Sequence, residues 1–132
     1  MGIANAGRAV VSARLYGTAS AAYGAIGMGT GTNAFSTADT ALQTGVKTDG
    51  TGDGGVHAIA SGSVTASSVT TTITNDTAQF VGTATVSASI AVTESGLFNA
   101  DTNGNLLARQ TFSAVNVVSG DSIQFTWKIK NA

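Results

Sequence analysis

The sequence predicts a mainly β, α+β protein: an antiparallel β-sandwich or barrel with one helix at its N-terminal end. The clearest indication is an alternation of apolar and polar residues near the C-terminus, which is typical of a half-buried antiparallel strand. The apolar positions of this alternation are Ile123, Phe125, Trp127 and Ile129. Turn signals also recur at short spacing, at Asn75-Asp76, Asn99–Asn105 and Ser119–Asp121. Strands separated by such turns are typical of sandwiches and barrels.

The length of 132 residues predicts a single domain. We divide it into an N-terminal helix and glycine-rich segment (1–46), a flexible loop (47–55) and a β-rich core (56–132). Apolar residues make up 42% of the chain, but Ala and Val dominate them and aromatic residues are few. Because small side chains bury little area each, we expect a thin core whose stability is supplemented by contacts between copies.

The first third of the chain carries the helical signals. Ala4–Tyr16 has apolar residues near helical spacing, with Asn5 as the N-cap and Gly17 as the stop. Ala21–Met28 predicts a short strand with glycines where other backbone approaches closely. Thr37–Thr44 predicts two further helical turns.

The remainder of the chain is β in pattern. Thr65–Thr74 is rich in Val, Ile and Thr, and Ala78–Val92 is expected to form one long strand with Gly82 as a gap or bulge. The apolar residues that share one parity in that strand are Phe80, Ala84, Val86, Ala88, Ile90 and Val92. A hairpin loop at Asn99–Asn105 and a return strand over Leu106–Val117 follow.

The charge balance restricts the partners that the protein can bind. Six basic residues stand against seven acidic ones, giving a net charge of −1 without a basic cluster, so we expect neither a nucleic acid nor an anionic membrane as partner. The chain has no cysteine, which excludes disulfides and thiolate metal sites. No apolar run is long enough for a membrane span, and the N-terminus predicts no signal peptide. Only 10% of the residues are charged, which favours a member of an assembly.

No motif predicts an enzyme, a cofactor or a bound metal. His57 is the sole histidine. The sequence has no Gly-x-Ser-x-Gly nucleophile elbow before a helix, so we interpret His57 as a surface or strand-edge residue. Glu94 is the only glutamate, whereas paired-carboxylate hydrolysis needs two acids. Gly24–Gly31 lacks the Gly-Lys-Ser/Thr ending of a phosphate-binding loop. Asp101–Asn105 begins like a calcium loop, but Leu106 follows where glycine is required.

Three segments carry a resemblance to a known family. They are Ile90–Asn99, Asn105–Ala114 and Gly120–Trp127. They resemble small virion proteins of tailed bacteriophages, which show a T-E-x-G-L-F … L-L-A-R … F … G-D-S-I-Q-F-T signature. The N-terminal part is similar as well, through Asn5–Arg8, Ile26–Gly31 and Ala38–Leu42, and Lys47–Val64 is the variable part. The chain departs from the pattern in the length of its Asp-Gly loop and in Trp127, which is bulky for its place.

The resemblance implies a non-enzymatic virion structural protein. The first expectation is a capsid decoration (cement) protein that binds the outer surface of the major capsid protein and stabilises the phage head. It would also bind itself as a dimer or trimer, and would be made in the host cytoplasm before joining the virion. The alternative is a tail-fibre, baseplate or adhesin component that recognises a host surface.

Six residues are candidates for structural or interface roles. They are Asn5, Arg8, Asp49, Asp53, Glu94 and Arg109. The first two lie in the N-terminal segment and the next two in the Asp-Gly loop, and both regions are free to dock on a partner. Glu94 and Arg109 lie on the two arms of the signature hairpin, where we expect them to form a cross-strand ion pair.

Overall fold

The computed structural model of the chain describes residues 3–15 and 23–130. These residues form one α-helix and seven strands, with a single 3₁₀ turn at Ser61–Ser63. The elements are α1 (Asn5–Leu15), β1 (Ala25–Gly29), β2 (Gly45–Val46), β3 (Val64–Val69), β4 (Thr77–Thr85), β5 (Ile90–Phe98), β6 (Leu106–Val117) and β7 (Ser122–Lys130). The expected helix end at Tyr16 and Gly17 lies outside the described residues.

The strands form two antiparallel sheets, which confirms the mainly β, α+β prediction. One sheet has the order β2-β1-β5-β6 and the other the order β3-β4-β7. The chain passes between the sheets from β4 to β5 and again from β6 to β7. These two crossings are joined by hydrogen bonds from Val86 N to the Asp121 carbonyl and from Gly120 N to the Val86 carbonyl. Because the two sheets stay separate in the described part of the chain, the architecture is a sandwich.

The main core lies between the sheets. Phe80, Phe125 and Trp127 come from the three-stranded sheet and meet aliphatic side chains such as Met28 and Leu97 from the four-stranded one. The last strand alternates as predicted, with Ile123, Phe125 and Trp127 buried and the residues between them exposed. This alternation fixes the register of β7, because a slip by one residue would expose its whole apolar face.

The outer face of the four-stranded sheet is also covered. All five residues of β1 are buried, which a strand with one wet face does not show. The cover is the segment 30–44, whose Phe35 and Leu42 pack against a second cluster of buried residues. That cluster consists of Ala4, Ala25, Phe98 and Leu106. The sandwich therefore has a third layer on one side.

The prediction of one strand over Ala78–Val92 is wrong. β4 ends at Thr85, and β5 begins at Ile90 in the opposite sheet. The alternation nevertheless persists, because both strands face the same core from opposite sides. Phe80, Ala84, Val86, Ile90 and Val92 are buried, and Ala88 is half-buried.

Gly82 is a gap and not a bulge. It pairs in register with Val64 and with Phe125. A Cβ at this position would lie 3.0 Å from Ile59 Cγ2, so the space left by the glycine is occupied by that side chain. The bulge lies instead in the β5–β6 pair, where the register shifts between Val92 and Glu94.

Two other element predictions need correction. Thr37–Thr44 is not helical, because its last two N–H groups donate to the distant Glu94 carboxylate instead of to carbonyls one turn earlier. The strand expected over Thr65–Thr74 is β3, which ends at Val69. Residues after it are folded around the Asp76 carboxylate, which accepts the N–H groups of Thr71, Thr72 and Ile73.

Candidate functional site

Glu94 and Arg109 form the predicted ion pair, and both side chains are buried. Arg109 Nε lies 2.7 Å from Glu94 Oε1, and the two side chains are 2% and 0% exposed. The pair is diagonal, since Glu94 stands opposite Thr111 and Arg109 stands opposite Gly96. Val92 faces the main core, and the register shift after it turns Glu94 to the other face of the sheet. The pair is therefore enclosed between the sheet and segment 30–44.

The Glu94 carboxylate organises the segment that covers it. Oε2 accepts the backbone N–H groups of Gly31 and Thr44, both at 2.8 Å, and Oε1 accepts that of Gln43 at 2.9 Å. Together with Arg109, these donors satisfy a buried charge that would otherwise be strongly unfavourable. One side chain thus fixes both ends of segment 30–44.

Arg109 extends the same network to the middle of that segment. Its Nη2 donates to the Asn33 carbonyl at 2.9 Å, and its Nη1 lies 3.2 Å from Asp39 Oδ2. Asp39 Oδ2 also accepts the Ser36 N–H and so closes a turn beside the guanidinium. These contacts give the signature hairpin a structural task, namely to hold the outer layer on the sheet.

The pKa of Glu94 reflects both its burial and its partners. Burial acts to raise the pKa, but the Arg109 guanidinium and the three backbone N–H donors together bring it below the ordinary value of 4.5. A carboxyl whose pKa is lower in the folded state stabilises the fold above the pKa of the unfolded state. That contribution is lost as the pH falls through the folded-state pKa.

The variant Glu94→Gln is therefore expected to show a smaller acid dependence of stability than the wild type. It should be less stable at pH 7, by roughly 3 kcal/mol, because the buried Arg109 guanidinium then keeps only Asp39 as a counter-charge and three N–H donors lose a charged acceptor. The difference between the two proteins should narrow as the pH falls below about 4.5. Urea unfolding at intervals from pH 7 to pH 3 measures this. Other titrating groups cancel in the difference, and a difference that stays constant with pH would contradict the assignment.

His57 is buried, which corrects its interpretation as a surface or strand-edge residue. Its side chain is 8% exposed and stacks on Phe98, with ring centroids 3.6 Å apart. Nε2 lies 2.7 Å from the Asn103 carbonyl; since a carbonyl only accepts, Nε2 carries the proton. Nδ1 is buried and has no partner among the described residues. The contacts of the ring therefore hold the Asn99–Asn105 loop against the sheet.

A cavity of about 300 Å³ lies beside His57. Its lining includes Leu42, Asp53, Phe98 and Asn103. The cavity thus brings Asp53, from the Asp-Gly loop, close to the hairpin loop. In the parts of the chain that the structure describes, no cluster of three or more histidine and acidic residues is placed to hold a metal ion.

The two aspartates of the Asp-Gly loop shape its turns. Asp49 Oδ1 accepts the N–H and the hydroxyl of Thr51, and these bonds lower the pKa of Asp49. Asp53 Oδ1 accepts the Gly55 N–H. Asp49 is exposed and Asp53 is half-buried. The loop is therefore internally bonded, and Asp49 is the more accessible of the two to a partner.

The N-terminal candidates lie on α1. Asn5 is its first residue, but the Ala4 carbonyl accepts the Arg8 N–H, so Ala4 occupies the capping position predicted for Asn5. Arg8 is exposed, and its Nε donates to the Ile3 carbonyl. The segment before the helix pairs with β6, through the bridge of Ile3 to Ala108. Asn5 and Arg8 thus make no contact with the buried Glu94–Arg109 pair among the hydrogen bonds and ion pairs of the described residues.

Two aspartates in the predicted turns, Asp76 and Asp121, bond to nearby backbone. Asp121 accepts the Val118 N–H, and the bonds from Ile73 and Thr71 hold the pKa of Asp76 well below its usual range. Asp101 differs, since it accepts the N–H of the distant Ser61. The sequence shows that these residues are turn formers but not that Asp101 joins two segments.

Among the described residues, the sandwich is partly open along β6 and β7, since the segment before α1 covers β6 at Leu107 and Ala108. β6 and β7 are terminal strands of their sheets, and they lie on the same side of the molecule because a short turn joins them. Two grooves follow this side, which we call the β6–β7 seam. The first is lined by Ser95, Gln110, Phe112, Phe125, Thr126, Trp127 and Lys128. The second is lined by Ile3, Arg8, Val11, Ser12, Leu107, Ile129 and Lys130.

Trp127 forms the floor of the first groove and is a core residue, as its parity predicts. It is 6% exposed, and its Nε1 donates to Ser95 Oγ, which donates in turn to the Gly27 carbonyl. Ser95 was not predicted as a partner of Trp127, because the register shift that precedes it turns its side chain towards the core.

Comparisons of the chain with protein-family models, curated proteins and solved structures gave no match. None of the described helices is long and apolar enough to cross a membrane. Any assignment of function therefore depends on the residues and their geometry.

Proposed function

We propose that this protein is a non-enzymatic virion structural protein of a tailed bacteriophage. Its place is on the outside of the head, where it binds the major capsid protein as a decoration (cement) protein. The resemblance of the hairpin segments to small phage virion proteins supports this proposal. Two residues of that signature, Glu94 and Arg109, form a buried ion pair that holds segment 30–44 on the sheet.

The observation that carries a docking function is the free outer edge of β7. The strand is nine residues long and pairs only with β4 among the described strands. Soluble proteins usually cover, disrupt or charge such an edge, because its unpaired N–H and C=O groups bind other strands. The edge of β7 carries exposed lysines, which oppose self-pairing but leave it open to a strand of opposite charge. Val115 and Val118 lie near the same side and are 43% and 53% exposed. An edge of this kind is an attachment surface for a neighbouring protein.

Attachment of many copies would stabilise a shell additively. Each copy contributes a small interface with the capsid. Copies that also contact one another, as dimers or trimers, would link neighbouring capsid subunits and distribute the outward force of the packaged DNA among them. The protein has few charged residues and a Ser/Thr-rich surface, so it can pack against neighbours without burying unpaired charge.

The test uses phage particles that lack the protein. We expect such particles to release their DNA at a lower temperature than complete particles, and purified protein added back should restore the wild-type temperature. Adsorption to host cells should not change. Particles that keep their heat stability but no longer adsorb would overturn the head assignment in favour of a tail-fibre or baseplate role. If purified wild-type particles do not contain the protein, a virion role is rejected altogether.

A further inference from the structure

We infer that the β6–β7 seam binds an extended, acidic segment of a partner protein, which adds to the free edge of β7 as a fourth strand. The inference rests on the proposed docking function and names the chemistry of the docked segment. Its first basis is the backbone of β7. In residues 3–15 and 23–130, β4 is the only strand hydrogen-bonded to it, so one whole side of Ser122–Lys130 offers unpaired donors and acceptors.

The seam has room for the side chains of an added strand. The first groove has a volume of about 380 Å³, and Phe112 and Phe125 form its apolar walls. The second has a volume of about 330 Å³ and lies between α1 and the end of β7, at Ile129. α1 therefore does not close the seam. Every second side chain of a strand on β7 would point into these grooves, so apolar residues are required at those positions.

The other side chains of the added strand would lie beside lysines. Lys128 and Lys130 are exposed on the outer face of β7, and Lys128 is the cation nearer the middle of the free edge. Lys130 Nζ donates to Thr72 Oγ1 at 2.7 Å, on the side of β4, so it would have to turn towards the added strand. Arg8 lines the second groove, with its Nε donating to the Ile3 carbonyl. No aspartate or glutamate lines either groove. Asp121 precedes β7 at the far end of the edge, and its carboxylate already accepts the Val118 N–H. Asp76 lies near Lys130 but on the side of β4, where its carboxylate accepts backbone N–H groups that include that of Thr72. The electrostatic field of the seam thus favours an acidic segment.

The same lysines disfavour a second copy of β7 as the occupant. Self-pairing would bring two further lysines to one short edge, which is the usual way in which edge strands avoid self-association. An acidic strand converts that repulsion into attraction. The sequence of the expected segment is therefore an alternation of acidic and apolar residues, with the apolar residues facing the grooves.

The test uses a capped six-residue peptide that alternates Glu and Val, added to the full-length ¹⁵N-labelled protein. We expect NMR chemical-shift changes at the backbone amides of β7 and β6, and slower hydrogen exchange of the β7 amides. The fluorescence of Trp127, the sole tryptophan, should also change. A Lys–Val peptide of the same length should not bind. The Glu–Val peptide with alternate amides N-methylated should lose binding, because it cannot complete the ladder.

Charge variants make the test specific. Lys128→Glu with Lys130→Glu should weaken binding of the Glu–Val peptide about fivefold to thirtyfold, as two exposed ion pairs are lost, and should allow the Lys–Val peptide to bind. Lys47→Glu alters a lysine of the Asp-Gly loop and should have no effect. The inference would be overturned if the Glu–Val peptide did not bind, or if the Lys–Val or N-methylated peptide bound equally well. It would also be overturned if the chemical-shift changes lay outside the seam. The particle test is independent of it, so the two proposals can fail separately.

Discussion

Replacing Arg109 with methionine is expected to lower the free energy of unfolding by about 3–5 kcal/mol, because Glu94 would remain buried without its counter-charge. The pair is almost fully enclosed, at 2% and 0% exposure, so water cannot replace the guanidinium. The substitution also removes the bonds to the Asn33 carbonyl and to Asp39. Methionine keeps much of the apolar stem, so the loss does not come from an emptied core. Urea unfolding followed by circular dichroism at pH 7 measures it.

Lys128→Met is the matched control for this variant. It removes one cation from a strand of the opposite sheet, but that lysine is exposed, so the change in stability should stay within about 0.5 kcal/mol. The double variant Glu94→Gln with Arg109→Met should lose less than the sum of the two single variants, because no fully buried charge is then left unpaired and only the half-buried Asp39 loses its partner. A cost for Arg109→Met similar to that of the control, or strictly additive costs, would show that the pair does not support the fold.

The second half of the fold was predictable because its signals are local. The return strand runs from Leu106 to Val117 as expected, and the 99–105 loop precedes it. Turn residues define the strand ends, and the alternation defines which face is buried, so no distant contact is needed to find either. The same reasoning failed at residues 86–89. There the alternation continues across a change of sheet, and parity alone does not reveal the turn.

The outer layer was not predictable, since it depends on contacts between residues far apart in sequence. Thr37–Thr44 has helical composition, but Glu94, fifty residues further on, takes the N–H group of Thr44. Alternation places Glu94 on the same face as Val92, and only the bulge between them turns it outward. The ion pair with Arg109 was expected from the hairpin, whereas its burial and its role in holding segment 30–44 were not. Likewise, nothing near His57 in sequence indicates its stack on Phe98.

The glycines of β1 are the sequence signal that corresponds to this outer layer. A close approach of backbone was predicted for the glycines of 21–28, but a Cβ at Gly27 would meet the side chains of Leu42 and Phe98. The close backbone approach is at Gly29, just beyond that segment. A Cβ at Gly29 would lie 2.6 Å from Glu94 Oε2 and closer still to the Thr44 carbonyl oxygen. A Cβ at Gly31 would meet the same carboxylate. Glycine at these positions is therefore required by the packing of the covering segment and not by an unusual backbone conformation.

Gly29→Ala is accordingly expected to lower the free energy of unfolding by about 2–4 kcal/mol, which combines the cost of overpacking with that of a displaced buried hydrogen bond. Gly52→Ala is the matched control, because nothing lies within 4 Å of a Cβ there and its φ is not positive. It should stabilise the protein by about 0.4–1 kcal/mol, through the lower entropy of the unfolded chain. Denaturant unfolding of both variants gives the comparison. If the free energy of unfolding rose in both variants, the Glu94 carboxylate and segment 30–44 would be able to move away from β1 at little cost. The outer layer would then be a loose cover and not a fixed part of the fold.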